Sequence, residues 1–265
     1  MKRISLTLLA VAAGLASGFA LAHDTDSRTR PGVLGFDITA QGDEVSLLLT
    51  VQEGNAIALR HLLSEDGGAT WSAEREVDLG GRPVHPPGPG SEPQIAAEGE
   101  RLLVIWTTPG TSRWGSGPLV GAWSEDLGKT WSKASSPATT GSTDSHGEVD
   151  LLVDGDWLHA VWLDNRDGSR GLRTARSDDF GRSWQPEQTV DPTTCTCCWN
   201  RMVQGPDGHV YVIYRDAEPR DLALARVVDG RWQRLARPAG FDWQFDGCPS
   251  VGGALAWTSS GALHA

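Results

Sequence analysis

Five times along the chain a polar turn holding a glycine opens into a run of alternating apolar character. The runs are QGDEVSLLLT at Gly42, EGERLLVIWT at Gly99, DGDWLHAVWL at Gly155, DGHVYVIYRD at Gly208 and SGALHA at Gly261. Alternation with a period of two predicts β-strands, and no apolar pattern of helical period and length accompanies it. The glycines are 57, 56, 53 and 53 residues apart. A period this narrow over five copies predicts a repeat architecture in which each copy is one small sheet.

A second motif keeps phase with the first. It reads SEDGGATW (Ser64–Trp71), SEDLGKTW (Ser124–Trp131) and SDDFGRSW (Ser177–Trp184), with a worn copy, VDGRW, at Val228–Trp232. Asp66, Asp126 and Asp179 are expected to accept backbone N–H groups two residues on and so fix a tight turn. Gly68, Gly128 and Gly181 supply backbone freedom. Trp71, Trp131 and Trp184 are expected to pack into the sheet.

S-x-D-x-G-x-[ST]-W resembles the Asp-box, or BNR, repeat of sialidase-like β-propellers, and the resemblance covers the chain from about Gly35 onward. It implies an all-β propeller of four-stranded antiparallel blades, six in the sialidase-like type. Blades are expected near residues 33–80, 91–137, 147–190 and 200–240, with a fifth beginning near Cys248. GALHA at residues 261–265 matches the opening of DWLHAVW, so the propeller is expected to be truncated after about four and a half blades.

Composition narrows the setting. Lys2 and Arg3, a mostly apolar stretch from Ile4 to Leu21 and the small-x-small Ala20-Leu21-Ala22 predict a cleaved export signal over residues 1–22, followed by a linker over 23–32. Polar and small residues interrupt the stretch, which argues against a membrane anchor, and no later run is long enough to span a bilayer. The product is expected to be periplasmic or secreted, where disulfides persist. Without the leader the chain has 21 basic against 34 acidic residues and a formal charge of −13. Nucleic acid is excluded as a general partner by this balance.

Candidate chemistry falls on the face opposite the Asp boxes, in the loops leading into each inner strand and those joining second to third strands. There lie Asp144 and Glu148, candidate acid/base groups flanking His146, and Arg166, Arg201 and Arg215, candidates for clamping an anionic substrate because the guanidinium fork matches a carboxylate. The resemblance implies sialidase chemistry, with an arginine cluster, a tyrosine activated by a glutamate and a carboxylic acid. The first inner strand, GFDITA, lacks the family's R-I-P arginine, and the two tyrosines, Tyr211 and Tyr214, share one strand as core or rim residues.

All four cysteines share one phase: Cys195, Cys197 and Cys198 in TTCTCCWN and Cys248 in DGCPS. Both segments lead into inner strands of consecutive repeats. Two readings stay open. One is disulfides, with Cys248 tied to the CTCC loop; the other is a thiolate site for copper or zinc. No other cofactor is expected. Two functions follow: an exported glycoside hydrolase-type propeller acting on or binding acidic glycans, or a non-catalytic binding propeller with a cysteine-based structural or metal site.

Overall fold

A computed structural model describes residues 32–111, 115–141, 145–166, 170–238 and 240–265. The expected leader and Asp144 lie outside the described residues. The chain folds as successive antiparallel meanders. The first sheet is β1 (Gly32–Gln41), β2 (Glu44–Glu53), β3 (Ala56–Ser64) and β4 (Arg75–Glu76). The second is β5 (Gln94–Glu98), β6 (Arg101–Pro109), β7 (Ser116–Ser124) and β8 (Ser132–Ala134). The third is β9 (His146–Val153), β10 (Leu158–Asp164), β11 (Gly171–Ser177) and β12 (Gln188–Asp191). The fourth is β13 (Arg201–Gln204), β14 (Val210–Arg215), β15 (Leu222–Val228) and β16 (Arg231–Ala236). A two-stranded piece, β17 (Ala256–Trp257) and β18 (Leu263–His264), follows. The fold is therefore all-β, of four-stranded antiparallel sheets. Among the described residues no helix is long and apolar enough to cross a membrane.

The repeat glycines close the first hairpin of each sheet. Gly42 and Gly99 sit at φ +65° and +55° between the terminal pairs Gln41–Glu44 and Glu98–Arg101. Two-residue hairpin loops need this left-handed backbone, which glycine reaches without strain.

The near-continuous apolar character of LLVIW and HAVWL has a simple cause. Successive side chains of a strand face opposite ways, and both faces of these strands are covered. Val104 and Trp106 of β6 join Leu48, Leu59 and Ile95 in the layer between the first and second sheets. Leu103 and Ile105 turn to the other layer, with Leu158, Ala160, Trp162 and Phe180 of the third sheet. Val161 and Leu163 of β10 face onward to Val210, Val212 and Tyr214 of the fourth. Trp106 and Trp162 are fully buried.

The Asp-box turns differ from expectation in one respect. The N–H two residues on is taken by serine, not aspartate: Gly68, Gly128 and Gly181 donate to Ser64, Ser124 and Ser177 Oγ at 2.8, 2.9 and 2.7 Å. Each aspartate reaches further. Its Oδ1 accepts the N–H four residues on, from Thr70, Thr130 or Ser183 at 2.8, 2.9 and 2.8 Å. Its Oδ2 takes the same residue's hydroxyl at 2.6–2.7 Å. A carboxylate spans that distance only because the turn holds two left-handed residues in succession, at 67–68, 127–128 and 180–181. These hydrogen bonds pull Asp66 and Asp126 down to about 2.

The second and third box turns also seal the sheet before them. A Cβ at Gly128 would press on His61 of β3, and one at Gly181 would sit 2.7 Å from Leu103 of β6. Arg75 of the first sheet donates to Leu127 O at 3.3 Å, and Ser135, just after β8, donates to Arg182 O at 2.7 Å. Trp131 and Trp184 are half-buried in these same layers, and Trp71 is half-buried on the first sheet. The worn copy is a tight hairpin turn, with Asp229 and Gly230 at φ +51° and +73°.

Candidate functional site

The first strands of the first three sheets, β1, β5 and β9, lie side by side in chain order, and β13 lies beside β9. Each carries one polar residue at the same register. Asp37, Gln94, Asp150 and Arg201 face Leu48, Ile105, Val161 and Ile213 across their own hairpins. Neighbouring first strands belong to different sheets, so no ladder pairs their outward N–H groups, and an unpaired buried N–H is costly. Two aspartates fill that role. Asp37 Oδ2 accepts the Ile95 N–H at 2.8 Å, and Asp150 Oδ2 accepts the Met202 N–H at 2.6 Å. Arg201 Nη1 donates to Asp150 Oδ1 at 3.1 Å.

Burial raises both carboxyls. Asp37 rises to about 6, against the pull of the Ile95 and Ile38 N–H groups and Arg201, and Glu92 adds to the rise. Asp150 also rises to about 6, against Arg201 and the Met202 N–H, with Asp37 adding to the rise. Three inner strands thus hold two acids and a guanidinium in mutual electrostatic reach. The sequence reading named Arg201 but missed the acids beside it, although their signal was present: Asp37, Gln94 and Asp150 each stand five residues before a repeat glycine, and Arg201 seven before.

Glu148 lies beside this set, at the start of the third inner strand and at φ +48°. Its Oε2 accepts from Arg170 Nη2 at 2.6 Å, and its carbonyl accepts from Asn200 at 2.9 Å. Burial raises its carboxyl, with Arg170 opposing. Arg170 also donates to Ser145 Oγ at 3.1 Å. His146, between these residues in sequence, is fully buried and accepts the Leu119 N–H on Nδ1 at 3.1 Å.

The three clamp candidates occupy different surroundings. Arg166 belongs to the layer between the second and third sheets. It pairs with Asp164 and Glu187 and donates to Thr140 Oγ1 at 3.2 Å. Asp164 is buried there, yet its hydrogen bonds with Arg166, aided by Arg173 and His146, outweigh desolvation and hold it below the ordinary carboxylate range. Arg201 is the inner-strand residue paired with Asp150. Arg215 is buried, donates to the carbonyls of Val251 at 2.9 Å and Arg220, and lies 4.8 Å from the Trp243 ring centre. All three guanidinium groups are thus engaged by the protein itself.

The cysteines converge. Cys195 is bridged to Cys198 and Cys197 to Cys248, with Cα separations of 5.8 and 6.2 Å. Trp199, next in the chain, packs against Gly252 and against Gly90 of the loop before β5. Both tyrosine hydroxyls are engaged elsewhere: Tyr211 donates to Asp207 at 2.7 Å and Tyr214 to Asp191 at 2.9 Å. A cavity of about 190 Å³ lies on the Asp-box side, lined by Glu98, Arg101, Asp156, Trp157 and Phe180 among others, away from the inner-strand acids.

Residues 21–237 match the model of the BNR repeat-like domain. No curated protein matches the chain by sequence. Among solved structures the chain is similar to Zg3597, a family 117 glycoside hydrolase of the marine bacterium Zobellia galactanivorans, at 13% identity and a TM-score of 0.53, covering 81% of this chain and 72% of that one. It is similar to an α-L-arabinanase of Penicillium chrysogenum complexed with arabinobiose, at 17% identity and a TM-score of 0.53, covering 79% and 68%. It is also similar to the α-L-arabinofuranosidase PaAbf62A of Podospora anserina in complex with cellotriose, at 12% identity and a TM-score of 0.50, covering 84% and 75%. At these identities the likeness is one of fold.

Proposed function

We infer the function from two premises: this chain belongs to the BNR repeat-like domain family, and its inner strands gather a buried carboxyl, Asp150, and a half-buried one, Asp37. We propose an exported, glycan-acting propeller of glycoside hydrolase type, with Asp37 and Asp150 as its working carboxyls and Arg201 as the cation that pairs with Asp150 and acts on Asp37. The observation that carries the reading is the common register of Asp37 and Asp150, with both raised to about 6. Desolvation raises both carboxyls, with Asp37 adding to the rise of Asp150, so protonated and ionised forms coexist near pH 6. Near pH 6 one holds a proton for a leaving oxygen while the other is a base or nucleophile, which is the division glycoside hydrolysis requires.

The sialidase variant has less support. It needs a tyrosine nucleophile and free arginines, whereas Tyr211 and Tyr214 are bonded to Asp207 and Asp191 and the clamp candidates are already paired. A neutral oligosaccharide suits this face better than an acidic one. Fold relatives bearing arabinobiose and cellotriose agree with that class of ligand. The signal-like leader supports export.

The test is reducing-sugar release from arabino-oligosaccharides, cello-oligosaccharides and a fluorogenic sialoside at pH 4–8. Release from a neutral substrate near pH 6 is expected, falling by about 10²-fold or more in Asp37→Asn and Asp150→Asn variants that keep the wild-type circular dichroism. No release from any substrate, or wild-type rates in both variants, overturns the proposal.

A further inference from the structure

The four cysteines carry an inference independent of the inner-strand acids. Sγ of Cys195, Cys197 and Cys198 lie within 4.8 Å of one another, and Cys248 Sγ is bonded to Cys197. Four sulfurs therefore meet in one small volume. Thiolates at about 2.3 Å from a common ion stand roughly 4 Å apart, so once the Cys195–Cys198 bond is reduced a small separation of those two sulfurs brings the cluster to the spacing of a metal-thiolate set.

As staples the two bridges are unequal. Cys197–Cys248 closes a separation of 51 residues and ties the last segment to the fourth sheet. Cys195–Cys198 closes a separation of three and constrains the unfolded chain far less. Loop closure thus accounts for the first bridge and leaves the second without a strong structural purpose. The surroundings supply a different one. Arg220 Nη1 lies 3.6 Å from Cys195 Sγ, in donor geometry. A guanidinium aimed at sulfur does little for a disulfide but stabilises a thiolate. Cys195 and Cys198 are 2% exposed, which shields bound metal from water, whereas Cys248 is exposed and can leave.

We propose that the reduced cluster binds one monovalent copper ion through Cys195, Cys197 and Cys198, and that the two disulfides are its metal-free, oxidised form. Three close thiolates suit Cu(I), the soft ion content with low coordination. The cycle balances. Two molecules of an external dithiol each give two electrons and two protons, breaking both S–S bonds and leaving four thiols and two external disulfides. Copper then displaces the protons of the three ligating thiols. Arg220 is a positioning residue that offsets thiolate charge.

The test uses the full chain, reduced anaerobically with a phosphine and then freed of it. Cu(I) is delivered in acetonitrile against a bathocuproine competitor. Expected are one copper per reduced chain, ultraviolet thiolate-to-copper absorption, and no uptake by the unreduced protein. Cys195→Ser with Cys198→Ser should abolish uptake, and Arg220→Ala should weaken it about 10- to 100-fold. Cys248→Ser removes the long bridge but none of the three ligands, so it should retain copper while keeping the wild-type far-ultraviolet circular dichroism. Four results overturn the proposal: uptake by the reduced chain equal to that of a fully alkylated one, loss of the fold on reduction, a requirement for Cys248, or zinc displacing copper from the reduced site.

Discussion

Replacing Gly128 by alanine separates two costs that the second Asp box combines. One is conformational: Gly128 sits at φ +75°, where an L-residue is disfavoured by about 1–2 kcal/mol. The other is steric. The new methyl would press on His61 Nδ1, 2.9 Å from its Cε1 and 3.2 Å from Trp131 Cζ2. The ring cannot easily retreat, because His61 is fully buried, within 3.1 Å of Ser46 Oγ, and edge-on to Trp131 at 6.1 Å. Overpacking a closed site of this kind costs about 1–3 kcal/mol. The expected loss is thus about 2–5 kcal/mol, which would lower the melting temperature by roughly 5–15 °C in a chain of this size. Gly42→Ala is the control, at φ +65° with nothing within 4 Å of the new carbon. It should lose only the conformational part, about 1–2 kcal/mol. Urea denaturation of both variants gives the comparison. His61→Ala in the Gly128→Ala background should recover about 1 kcal/mol beyond additivity, since the two sites touch. Equal losses in Gly128→Ala and Gly42→Ala, or strict additivity with His61→Ala, would refute the claim that the turn seals the preceding sheet.

Two further outcomes follow. Asp150 is raised in the folded state, so the folded protein retains a proton that the unfolded chain gives up as pH rises from about 4 to 6. The stability of wild type relative to Asp150→Asn should therefore fall over that interval, by about 2–3 kcal/mol, and stay level above it. His61, lowered to about 4 by burial, acts in the opposite sense, losing stability as pH falls from 6.5 toward 4, so the subtraction and not the raw curve is the measurement. Tyr214→Phe removes the hydroxyl bonded to Asp191 and should cost about 1–2 kcal/mol by urea denaturation, with sugar release unchanged. A large loss of activity without a loss of stability would return the tyrosine to the chemistry.

The repeat was legible because its physics is local. Gly42, Gly99 and their equivalents mark hairpins within a few residues, and each Asp box is closed by its own serine, aspartate and threonine or serine. The reach of the box aspartate was misjudged because it depends on two successive left-handed residues, one of them a leucine at 127 and a phenylalanine at 180, which propensity does not announce. The inner-strand acids were overlooked for a different reason. Asp37 and Asp150 look like ordinary strand polar residues until the neighbouring sheet supplies the N–H that each satisfies. Arg166 was assigned to the loop face by its position after β10, but its surroundings are set by Asp164 and Glu187 in a layer between sheets that sequence distance does not reveal.

Because the second and third box turns each seal the sheet before them, the unit that repeats in the sequence is not the unit that completes a buried layer. The first sheet acquires its lid at Gly128, well into the second repeat, and the second acquires its lid at Gly181. A polypeptide emerging from the ribosome would therefore hold each sheet unfinished for about one further repeat, then close it with the next turn to appear. Growth is vectorial, and every boundary drawn through a repeat glycine parts some sheet from its cover. Shuffling or duplicating such units would keep the interior intact only when the cut falls after the lid, some thirty residues beyond the glycine where the eye first places it.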